Sequence, residues 1–116
     1  MSAASLELEK DPSSNPSLTI YRAKGKLSLE TVSQFIQRLR PDPSQHLVLD
    51  MSEVGFLDSA GVGALVSLFV NRRTNGKTLA LARLASQASA VVTVAGLQKL
   101  LPIHGSVEEA SSAKKS

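Results

Sequence analysis

Apolar positions along this chain change their spacing several times, and each change marks an element. Leu6 and Leu8 alternate with Glu7 and Glu9, the period-two pattern of a strand with one wet face. Residues 11–17 form a turn cluster with two prolines, after which Leu18 and Ile20 resume the alternation. Residues 18–24 are therefore expected as a second strand, hairpinned onto the first. From Leu29 the spacing turns helical, with Leu29, Val32, Phe35, Ile36 and Leu39 on one stripe. Ser28 is the expected N-cap, Glu30 suits the positive end of the helix, and Pro41 and Pro43 stop it.

Leu47, Val48 and Leu49 are apolar without alternation, as in a strand buried on both faces, and the expected strand stops at Asp50. After a loop, Asp58-Ser59-Ala60-Gly61 opens a second helix carrying Val62, Leu65, Val66, Phe69 and Val70 at helical steps. Arg72 and Arg73 fall in its last turn and Asn75-Gly76 ends it. Gly63 costs helix propensity, and close packing against the sheet is the expected reason for it. Residues 79–84 read as a further strand, and Ser86 opens a helix through Ala88, Val91, Val92 and Ala95 that stops at Gly96. A short strand within 102–106 and a short helix over 107–112 complete the chain.

The resulting order, ββαβαβαβα, predicts an α/β fold: a mixed sheet of about five strands, an N-terminal hairpin plus parallel strands, with about four helices. At 116 residues this is one domain, expected over 1–112, followed by a disordered basic tail at 113–116. Lys114 and Lys115 supply much of the net charge of +3, so the domain itself is near neutral. With three Phe, one Tyr and no Trp, both the electrostatic footprint and the stacking platforms of a nucleic-acid binder are poorly supplied. The apolar runs fall far short of the roughly 20 residues a bilayer needs, and residues 1–11 lack signal-peptide character. Having no cysteine, the chain has neither disulfides nor thiolate metal sites, which fits a cytoplasmic location.

The informative chemistry lies where a buried strand feeds a helix opening with Asp58-Ser59. A phosphate on Ser59 would meet unpaired N–H groups and the positive end of the dipole, while facing the carboxylate of Asp58. The two effects largely offset each other, so the fold should survive while the surface changes. Taken alone, this local chemistry favours a plain helix cap.

The wider pattern changes that balance. Asp50, the block from Gly55 through Asp58-Ser59-Ala60-Gly61 to Leu65, Gly76 and the Gly96-Leu97 pair together resemble the STAS domain, in particular bacterial anti-sigma factor antagonists. Gly25-Lys26-Leu27-Ser28 resembles the family's Gly-Glu-Leu-Asp turn. The resemblance implies that Ser59 is a phosphoacceptor, within a partner-binding surface of Ser28, Asp58, Ser59, Ala60 and Gly61. It implies two partners: an anti-sigma factor that is itself a serine kinase and binds the unphosphorylated form, and a metal-dependent serine phosphatase that resets the switch. ATP and magnesium would belong to the kinase; no cofactor or metal is expected on this chain. Lys26 and Ser28 replace the family's acidic residues, and Ala60 replaces a commoner Ser or Thr, leaving Ser59 the block's one hydroxyl.

Other readings remain. The family's resemblance extends to small cytoplasmic subunits of lipid or anion transport complexes, the main alternative, and to scaffolds in signalling assemblies. An enzyme is not expected: Leu57 breaks the Gly-x-Ser-x-Gly elbow, and His46 and His104 read as surface or strand-end residues rather than bases. Gly61 and Gly63 are a weak nucleotide signal with no Lys-Ser or Lys-Thr after them. Monomer and weak dimer both stay open.

Overall fold

The run read as doubly buried is the middle of the sheet. In the computed structural model, which describes residues 5–113, strand β3 (His46–Leu57) lies between β2 (Leu18–Leu27) and β4 (Thr78–Ala82). The five strands stand in chain order, with β1 (Leu6–Lys10) antiparallel to β2 at one edge and β5 (Ile103–His104) parallel to β4 at the other. The helices are α1 (Val32–Leu39), α2 (Ser59–Thr74), α3 (Ser86–Val94) and α4 (Val107–Ser112), with a 3₁₀ turn at Leu97–Lys99. The expected mixed five-stranded sheet, its four helices and their order are all present.

Alternation along the central strands sorts the helices into layers. Leu47, Leu49 and Met51 of β3 and Leu79 and Leu81 of β4 join the main core, with Phe35 and Leu39 of α1, Leu65 and Leu68 of α2, and Ala88 and Val92 of α3. Val48, Ala80 and Ala82 point the other way, to Ala110 of α4. The small side chains on this second face let the short α4 lie close to the sheet.

β3 does not stop at Asp50. Its second half pairs with the end of β2, which runs past the expected Lys24 to Leu27, Lys24 with Glu53 through Leu27 with Leu57. Two register shifts, opposite Arg22/Lys24 and Gly25/Lys26 of β2, each leave an extra residue in β3, which disturbs the period and makes this stretch look like a loop in sequence. Gly25 serves one of them at φ 114°, where a Cβ would also collide with the Ser5 carbonyl.

Ser28 is not the N-cap of α1. Thr31 occupies that position, and Ser28 closes a tight turn instead. Its N–H donates to Thr31 Oγ1 at 3.0 Å, and its carbonyl accepts from Thr31 and Val32 at 2.9 Å. Leu29, expected on the buried stripe, is thereby expelled and stands 74% exposed. Gly63 is likewise not packed on the sheet: an added Cβ would have nothing within 4 Å. Arg83, at φ 58°, turns the chain out of β4, so Leu84 falls outside the strand. Within the expected basic tail, Ala113 follows the last turn of α4; residues 114–116 lie outside the described range.

Candidate functional site

The two longest strands end side by side, Leu27 opposite Leu57, and the chain leaves each in a different direction. After Leu57 it passes through Asp58, extended at φ −111° and ψ −174°, straight into α2. The Asp58 carboxylate holds both exits. Oδ1 accepts the N–H of Gly61 at 2.8 Å, capping α2, and Oδ2 accepts the N–H of Leu29 at 3.1 Å, tying in the turn after β2. Burial is the largest influence on this carboxyl and pushes it up. The N–H groups of Gly61, Leu29 and Ala60 and its own together outweigh that and hold it below the ordinary carboxylate value.

Gly61 is the close approach that the strut requires. A Cβ there would collide with the Leu27 carbonyl and reach within 2.7 Å of Leu57 Cδ1, so the start of α2 can press against the end of β2 only with glycine. Leu57 is held on both edges: by β2 on one side, and on the other by the side chain of Gln87 from α3.

Ser59 is the first residue of α2, and its side chain is exposed. Ala60 is half-buried, Gly61 is buried, and Asp58 is partly open. Ser28 belongs to the same junction through its backbone, yet the residue is only 5% exposed and its hydroxyl has no hydrogen-bond partner among the described residues. The expected placement of the Ser28 side chain on the contact surface is thus corrected; the turn presents Leu29 and Glu30 to solvent. Beside Ser59, Ala60 and Ala64 of α2 and Val32 and Ile36 of α1 line a shallow, open groove of about 420 Å³.

Sequence reasoning missed Leu29 and Gln87. Leu29 was hidden because its spacing from Val32 and Ile36 fits the helix stripe. Gln87 carries no local signal, as its partner is thirty residues away in the chain.

The geometry also bears on the enzyme alternative. His46 is at a strand end, as expected, but not on the surface: it is 1% exposed, with Nδ1 2.6 Å from Thr78 Oγ1 and Nε2 2.7 Å from the Ala110 carbonyl. It begins β3 while Ser59 follows the end of that strand, a separation of roughly 35 Å at about 3.3 Å per residue. His104 lies on β5, with β4 between it and β3. Among the described residues, no helix is long and apolar enough to cross a membrane.

A profile of the STAS domain matches residues 9–110. Among solved structures, an anti-sigma factor antagonist from Mycobacterium paratuberculosis superposes with a TM-score of 0.79 at 19% identity, over 97% of this chain and 96% of that one. The anti-sigma factor antagonist SpoIIAA in its unphosphorylated form gives a TM-score of 0.75 at 17% identity, over 90% of this chain and 92% of that one. A sulfate transporter family protein from Wolinella succinogenes gives 0.67 at 17% identity, over 82% of each chain. At these identities the structural likeness is one of fold.

Proposed function

The chain belongs to the STAS domain family, and from that membership we propose that it is an anti-sigma factor antagonist working as a phosphorylation-controlled partner switch. The observation that carries this reading is the exposed Ser59 hydroxyl on the first residue of α2, beside a carboxylate whose two oxygens fix the surrounding backbone. In the unphosphorylated state the surface of Leu29, Asp58, Ser59 and Ala60 docks on an anti-sigma factor that is also a serine kinase, which frees a sigma factor.

Within that complex Ser59 Oγ attacks the γ-phosphorus of ATP held by the kinase. ADP leaves, and the hydroxyl proton passes to a base of the kinase. The new group carries about −1.5 to −2 charge at neutral pH. The Gly61 N–H, which an N-terminal phosphate would seek, is already engaged by Asp58. The phosphate therefore stays outward as a doubly negative group beside a carboxylate. Burying such a charge against a partner that accommodated a hydroxyl costs on the order of 2–5 kcal/mol. Since about 1.4 kcal/mol is a tenfold change in affinity, the complex dissociates. A serine phosphatase transfers the phosphoryl group to water and restores the docking surface.

Intact mass after incubation with ATP and candidate serine kinases from the same cell tests the reading. One phosphate is expected on the native chain and none on Ser59→Ala, with Ser59→Asp weakening partner binding at nearly unchanged thermal midpoint. Phosphate on both chains, or a collapse of stability with unaltered affinity, rules it out.

A second reading, a small STAS subunit of a transport complex, is favoured by the likeness to the Wolinella succinogenes sulfate transporter family protein. Copurification with a membrane permease in place of a soluble kinase would select it.

A further inference from the structure

We propose that Gln87 is a positioning residue for Ser59, its side-chain amide replacing a missing strand and coupling α3 to the acceptor turn. The inference rests on the partner-switch reading and adds to it a residue outside the Asp58–Gly61 block.

Part of one edge of β3 has no strand partner among the described residues. β4 accompanies β3 only as far as Asp50, opposite Ala82, because Arg83 at φ 58° turns the chain away into α3. Beyond that point the β4-side edge of β3 has no strand beside it among the described residues, and the last residue before the acceptor turn, Leu57, lies on that stretch. Its N–H donates to Gln87 Oε1 at 2.8 Å, and its carbonyl accepts from Gln87 Nε2 at 3.0 Å. A carboxamide offers one acceptor and one donor in a plane, the same pair that a peptide group presents to a neighbouring strand. Gln87 thus acts as a single residue of β-ladder delivered from a helix. With Leu27 paired on the other edge, Leu57 is gripped from both sides. Asp58 and Ser59 follow immediately, so the direction in which the hydroxyl leaves the sheet depends on this grip. Geometry of that kind acts on the reacting complex, where a displacement of about 1 Å is enough to cost a hundredfold in rate.

The chemistry also supplies a discriminating variant. Gln87→Glu keeps the acceptor for the Leu57 N–H but sets a carboxylate oxygen against the Leu57 carbonyl. A protonated carboxyl restores the missing donor, so this variant should lose the grip at neutral pH and regain it as the pH falls through the carboxyl's value, ordinarily about 4.3. Gln87→Leu removes both bonds at every pH.

The test measures amide-exchange protection factors across the full-length chain at pH 7 and near pH 4. It is paired with steady-state phosphorylation of Ser59 by whichever kinase modifies the native chain. In Gln87→Leu, protection of the Leu57 amide should fall about tenfold or more while Leu47 and Leu49 keep theirs, and phosphorylation should lose kcat at least tenfold with KM little changed. Gln87→Glu should match Gln87→Leu at pH 7 and the native chain near pH 4 in its Leu57 protection. Unchanged Leu57 protection, or an equal loss along all of β3, overturns the proposal, as does a phosphorylation defect confined to KM. If the native chain takes up no phosphate from any kinase, the partner-switch reading falls instead, and the exchange data alone decide whether Gln87 holds the turn.

Discussion

Two glycines in one helix show how little a residue's identity says without its surroundings. Gly61 and Gly63 both lower the intrinsic stability of α2, yet only Gly61 touches anything that forbids a side chain. Gly61→Ala must drive the start of α2 away from Leu27, an overpacking that costs on the order of 1–3 kcal/mol. Gly63→Ala meets open space and gains helix propensity, so it should stabilise the chain by about 0.5–1 kcal/mol. Urea melts of the two variants should therefore shift in opposite directions.

Asp58 makes a pH-dependent contribution whose sign follows from its environment. Its carboxyl is lowered in the folded chain, so its charged form stabilises the fold at neutral pH. That contribution is complete above the ordinary carboxylate value of about 4 and is lost as the pH drops through the lowered folded value. Asp58→Asn keeps an acceptor for Gly61 but turns an amide towards the Leu29 N–H. The variant should be less stable than the native chain at pH 7, and the gap should close in acid. Thermal midpoints of both chains across pH 2–7 check this; a constant gap would mean that the charge contributes nothing.

At the scale of elements, the turn between β2 and α1 decides what the site presents. The Ser28–Thr31 hydrogen bonds delay α1 until Val32, and the delay moves Leu29 from the core to the surface. Leu29→Ala should consequently change stability by no more than about 0.5 kcal/mol. Phe35→Ala on the same original stripe removes a fully buried ring and should cost about 3–5 kcal/mol. Denaturant midpoints separate the two outcomes, and a large loss for Leu29→Ala would show that the helix does begin at Ser28. α4 illustrates the same point: Ser106 caps it through Glu109, but it lies on the sheet because Ala80 and Ala82 leave room and His46 reaches the Ala110 carbonyl.

Across the whole molecule, α2 joins two ends with different tasks. Its start carries Ser59 in the open, and its last turn carries Arg72, 2% exposed, which donates to the carbonyls of Thr78, Asp42 and Ser44 and pairs with the Asp42 carboxylate at 3.8 Å. Burial lowers the Arg72 guanidinium from its ordinary value, and Asp42 opposes that shift. Removing the cation alone strands a buried carboxylate, so Arg72→Met should cost about 3–5 kcal/mol. Adding Asp42→Asn should recover part of the loss in a double-mutant cycle, and additive losses would mean the pair is not coupled. The sheet's strands stand in chain order.

Spacing along the chain was enough to determine the element order, the mixed sheet, the stop at Gly96 and the Asp58 cap, because each rests on contacts within a few residues or on a period that local geometry imposes. The same nearness made the position of Ser59, exposed at the start of α2, legible. What only the tertiary structure decided was everything set by segments distant in sequence: the second half of β3, bulged where it pairs with β2; the exposure of Leu29 and burial of Ser28; the inward histidine; and Gln87 clasped to Leu57. No local pattern records such contacts, since each residue's role there depends on a partner brought near only when the sheet has formed.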